Sequence, residues 1–119
     1  MERHKFLDLF GRAKPHIEKR DILRVLRRSI DANMTDGNPR GHRNLIIVIE
    51  ELSELTKEIS KELRGRGDKI AITEELADVQ LGIWYVQQIC DISSDDLHRA
   101  INVKSDRLKQ VLDLKGQYK

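Results

Sequence analysis

Two segments of this 119-residue chain carry the same chemistry twice. Residues 50–55 read Glu-Glu-Leu-Ser-Glu-Leu, and residues 74–79 read Glu-Glu-Leu-Ala-Asp-Val. Each sets two acids three apart inside an apolar-periodic run, Glu51 with Glu54 and Glu75 with Asp78. Positions i and i+3 share a helix face, so each pair aims two carboxylates at one point. Four converging carboxylates repel unless something neutralises them, and the usual agents are a hard divalent cation or a basic side chain. Oxygen-only ligands favour Mg²⁺, with Mn²⁺ a possible substitute. Phosphate chemistry then follows, since such a metal binds phosphate oxygens and acidifies a water. A carboxylate not fully used by metal orients that water as general base. Spacing leaves open which of the four does so.

Other metals lack their signatures. A di-iron bundle site asks for Glu-x-x-His pairs. No histidine follows the first Glu of either pair at that spacing, and Asp95 with His98 is a single match without a Glu. One cysteine and four scattered histidines do not make a zinc site. There is no Walker A loop and no GxGxxG, and Gly65-Arg66-Gly67 is only a loop.

A second feature lies in residues 94–114. The apolar face there is Leu97, Ile101, Leu108 and Val111, with Lys104 in its middle and Arg107 on its border. A lysine on a core face snorkels or meets an anion. Its functional reading is a reach toward the acids or a phosphate.

These residues need helices to position them. Apolar spacing predicts helices over about 15–33, 44–64, 69–90 and 94–114, with a short turn from Lys5 to Phe10 ending at Gly11. Pro15 suits a first helical turn. Residues 34–43 read as a loop, and 115–119 as a frayed tail. Gly65 and Gly67 end the second long helix, Asp68 or Thr73 caps the next, and Ser93 with Asp96 has capping-box spacing. The expected fold is all-α, four-helix-bundle-like, in a single domain over 1–119.

On a wheel of about 100° per residue, the first acidic helix has an apolar stripe of Leu45, Val48, Leu52, Leu55, Ile59 and Leu63. The second has Ile72, Leu76, Val79, Ile83 and Cys90. Both acid pairs flank their stripes at the same offset, so a hairpin brings them face to face. Glu50, Glu58, Glu62 and Glu74 read as solvated acids. Gly82, one turn beyond Asp78, leaves room for a ligand. Leu45 to Ile49 is apolar all round, which points to a homo-oligomer interface.

Composition sets the outer bounds. Charged residues are 35% and aromatics 4%, which suits helical surfaces. Net charge is only +2, so no strong field for nucleic acid is expected. Arg20, Arg24, Arg27 and Arg28 share a helical side, but Glu18, Asp21 and Asp31 interrupt it. Cys90 is the only cysteine, which fits a reducing, cytoplasmic setting, and it reads as a core residue. Neither a signal peptide nor a membrane span is expected.

Glu50-Glu51-Leu-Ser-Glu54, then Glu75-Leu-Ala-Asp78, then Lys104-Ser-Asp-Arg107-Leu, resembles the MazG-type all-α nucleoside triphosphate pyrophosphohydrolases. The likeness spans about residues 44–112, leaving 1–43 as N-terminal helix and loop. It implies hydrolysis of a nucleoside triphosphate, a dNTP by expectation, at the α–β bond to the monophosphate and pyrophosphate. It implies Glu51, Glu54, Glu75 and Asp78 as catalytic Mg²⁺ ligands and Lys104 and Arg107 as phosphate-binding. It also implies a homodimer or dimer of dimers. Trp84 and Tyr85 sit away from the metal flank and are expected in an oligomer core, and His42, Arg43 and Asn44 in loop and cap duty. The competing reading is a non-catalytic helical oligomerisation or nucleotide-binding regulatory module.

Overall fold

In the computed structural model, residues 10–11, 18–33 and 41–114 are described. Those residues form four α-helices and no strand: α1 (Lys19–Asn33), α2 (His42–Leu63), α3 (Lys69–Ile89) and α4 (Ser94–Leu114). The all-α expectation holds. The expected turn from Lys5, the Pro15 start, most of the 34–43 loop and the tail from Lys115 lie outside the described residues. The chain divides into two compact units, Met1–Ile89 and Cys90–Lys119.

In the first unit, α2 and α3 form the principal pair and α1 packs against both. Leu26 and Ile30, one turn apart on α1, are buried and supply its core face. Polar contacts pin the same helix. Gln88 Nε2 donates to the Leu23 carbonyl at 3.2 Å, and Asn44 Nδ2 to Ser29 Oγ at 3.3 Å. Helix α2 begins two residues earlier than expected, so His42, Arg43 and Asn44 form its first turn rather than a loop. Asn44 is buried there. Gly41 makes this start possible. Its φ is 73°, and a Cβ would lie 2.9 Å from Ile89 Cδ1 and 3.5 Å from Ile30 Cγ2. Only glycine takes that conformation at so close an approach without strain.

The hairpin connection is short and locally encoded. Gly65, at φ 76°, follows the C-cap of α2. Its N–H donates to the Glu62 carbonyl, and the Arg66 N–H donates to that of Lys61 at 2.9 Å. This pairing closes a Schellman motif. Asp68 Oδ1 then accepts from the Ile70 N–H at 2.9 Å and caps α3. In the second unit, Ser93 Oγ accepts from the Asp96 N–H at 3.1 Å and caps α4. The Asp96 carboxylate accepts from Arg99 at 3.0 Å, so the capping box is formed on its serine side.

Side-chain burial overturns part of one sequence expectation. Of the expected α2 stripe, Leu45, Val48 and Leu55 lie on the packed face, but Leu52, Ile59 and Leu63 do not. Leu52, Ile59 and Leu63 are exposed, whereas Asn44, Val48 and Glu58 are buried and Glu51 and Leu55 half-buried. The buried set 44, 48, 51, 55, 58 has alternating spacings of four and three, a clean helical seam. In α3 Gly82 is buried and Glu75 half-buried, as are Ile72 and Val79 of the expected stripe, whereas Leu76 and Ile83 are exposed. Gly82 meets Val48 at this seam, and Glu51 and Glu75 are half-buried along it. Cys90 is exposed rather than core, because it lies past the end of α3.

Candidate metal centre

Three of the four expected acids converge. One carboxylate oxygen each of Glu51, Glu75 and Asp78 lies within 4.8 Å of the others. Glu51 comes from the middle of α2, and Glu75 and Asp78 from one turn of α3. The Schellman turn and the Asp68 cap make the two helices antiparallel neighbours, so the pairs meet. Glu54 is exposed and outside the converging three, although its charge reaches Glu75.

The electrostatics of the cluster are unfavourable as it stands. Glu51 is pushed up from 4.5 to about 7, first by burial, then by the Asp78 and Glu75 carboxylates beside it. Glu75 is pushed up too, first by burial and then by the charges of Asp78, Glu54 and Glu58. A protonated Glu51 donating to Glu75 offsets part of that rise. Glu75 Oε2 is buried with no hydrogen-bond partner, and so is Glu58 Oε2. Orphaned buried carboxylate oxygens are costly, and a hard cation is the partner that satisfies several at once. The donor set therefore fits Mg²⁺ or Mn²⁺.

Two residues emerge that spacing alone undervalued. Glu58 was read as a solvated acid, but it is 8% exposed and its Oε1 accepts from Lys61 Nζ at 3.1 Å. Its signal was in the sequence, since it follows Glu51 by two turns on one face. Tyr85 was placed away from the acids. It instead lines a pocket of about 100 Å³ together with Ile47, Leu81, Glu51 and Asp78. Trp84 is half-buried within the first unit, with Lys19 Nζ 5.4 Å from its ring centre. Glu50, Glu62 and Glu74 are exposed, as expected of solvated acids.

Gly82 and Val48 line the same pocket, in keeping with the room expected beside the glycine. Toward α2 there is less space, since a Cβ on Gly82 would lie 3.2 and 3.3 Å from the two Val48 methyls. Lys104 and Arg107 are both exposed on α4 in the second unit. No family model, curated protein or solved structure matches the chain. No helix among the described residues is long and apolar enough to cross a membrane.

Proposed function

We propose that this chain is a Mg²⁺-dependent nucleoside triphosphate pyrophosphohydrolase of the MazG type, cleaving the α–β bond to give monophosphate and pyrophosphate. The observation that carries the reading is the convergence of Glu51, Glu75 and Asp78 across two antiparallel helices, with an orphaned buried oxygen on Glu75. Glu51, Glu75 and Asp78 would hold the metal, with Glu54 completing the set from the next turn of α2. When bound, the metal supplies phosphate neutralisation and Lewis acidity. A carboxylate of this set not fully used by the metal would orient the attacking water as general base. The pocket of about 100 Å³ beside Glu51 and Asp78, with Tyr85 as its aromatic wall, has room for part of a substrate and is smaller than a whole nucleoside. On the resemblance alone, Lys104 and Arg107 are the cationic side chains assigned to the phosphates. A homodimer or dimer of dimers covers the exposed apolar side of α2.

A panel of ribo- and deoxyribonucleoside triphosphates, scored separately for pyrophosphate and orthophosphate, tests this. Pyrophosphate release is expected with Mg²⁺ and is lost with EDTA and in Glu51→Gln. Lys104→Met is expected to raise KM without loss of helicity. A folded protein that turns over no triphosphate would return weight to the non-catalytic module.

A further inference from the structure

Glycine is a poor helix former, so one buried in mid-helix calls for a packing reason. Gly82 has one. It is buried in α3, and a Cβ built on it meets Val48 Cγ1 at 3.2 Å, Cγ2 at 3.3 Å and Cβ at 3.7 Å. Val48 is itself 7% exposed. A valine fills two of three staggered positions and is stiff in a helix. With both methyls facing the glycine, every rotamer keeps at least one of them there. A methyl group at position 82 is therefore accommodated by moving the helices apart by a few tenths of an ångström.

That contact sits beside the acids. Val48 precedes Glu51 by three residues, and Gly82 follows Asp78 by four. Both offsets are about one helical turn, roughly 5.4 Å along the axis. The cluster draws Glu51 from α2 and Glu75 with Asp78 from α3, so widening the pair withdraws one ligand from the other two. Mg²⁺ demands near-octahedral oxygens at about 2.0–2.1 Å, whereas Ca²⁺ accepts about 2.3–2.6 Å in flexible geometry. The displacement a methyl would force is the size of that difference.

We propose that Gly82 is a positioning residue. Its contact with Val48 sets the approach of α2 and α3, and thereby the cluster's preference for a small cation such as Mg²⁺ over a larger one such as Ca²⁺. The inference rests on the metal-binding reading of Glu51, Glu75 and Asp78.

Isothermal titration of Mg²⁺ and of Ca²⁺ into the metal-stripped full-length protein tests it without reference to turnover. Gly82→Ala is expected to weaken Mg²⁺ binding about tenfold or more, the scale of losses when ligand-supporting residues change, and Ca²⁺ binding far less. Val48→Ile crowds the same contact from the opposite helix and is expected to shift the ratio the same way, even if Gly82→Ala does not fold. The double variant Gly82→Ala with Val48→Ala reopens the space and is expected to restore the wild-type ratio. An unchanged Mg²⁺-to-Ca²⁺ ratio in the folded single variants, with wild type binding normally, overturns the positioning role. Wild type taking up neither ion would instead fail the metal reading itself, and this inference with it.

Discussion

A carboxyl held at about 7 is half protonated at neutral pH, so Glu51 both stores and releases a proton where most glutamates cannot. This has a consequence for stability. Between about 4.5 and about 7 the folded, metal-free chain binds more protons at Glu51 than the unfolded chain does. Stability from this group is full at low pH and is lost as pH rises through that window. Metal binding has the opposite slope, because ligating carboxylates must be deprotonated. In EDTA, Tm is expected to be higher near about pH 5.5 than near about pH 7.5, and excess Mg²⁺ is expected to shrink or invert the difference. Glu51→Gln replaces the proton-holding carboxyl with a neutral isostere. It is expected to raise metal-free stability at about pH 7.5 by roughly 1–2 kcal/mol, flatten the pH profile and abolish the Mg²⁺ response. A Tm in EDTA that is flat across this range would remove Glu51 as the strained group. Spacing alone picked out Glu51, Glu75 and Asp78, and with them Glu54, which lies outside the converging three. The position of Glu58, two turns after Glu51 on one face, was legible too, but its burial was not, because an acid repeated on a charged helix looks like surface until its neighbours are known.

Helix boundaries were readable because local chemistry fixes them. Gly65 and Asp68 place the α2–α3 turn, and Ser93 starts α4, with little help from packing. The direction each helix faces was harder to read. Leu45 to Ile49 is apolar around the full circumference, so the pattern points inward at no one angle. Gly82 against Val48 fits the observed angle, since the missing side chain leaves room for the valine there. That angle lies less than one residue step from the expected one and carries Glu51 and Glu58 into the interface. The start of α2 also has a glycine at a close contact. Gly41→Ala must place a Cβ against Ile89 and hold a left-handed backbone. The expected loss is about 2–4 kcal/mol in urea unfolding, from backbone strain plus overpacking. A change under about 0.5 kcal/mol, the size of an ordinary surface substitution, would show that the start of α2 is free to shift.

Among the described residues few apolar side chains are buried: Leu26, Ile30 and Val48. Ile46, Ile49, Leu52 and Ile59 on α2, and Leu76 on α3, are between 47% and 63% exposed. Exposed apolar side chains in this number are what the proposed oligomer would cover. Under the oligomer reading, light scattering after size-exclusion chromatography is expected to give a dimer or tetramer mass. Leu52→Asp with Ile59→Asp is expected to reduce it toward the 13.8 kDa chain. A wild-type mass equal to one chain would exclude self-association as the cover for those side chains. One further property follows from the packing of α1. The chain has a single tryptophan, Trp84, and the α1 side chain Lys19 lies over its ring. Its emission therefore comes from one place, the seam between α1 and α3, with no second fluorophore of its kind to blur it. The molecule carries a built-in optical gauge of whether its first helix is seated on α3, and stopped-flow fluorescence can time that seating.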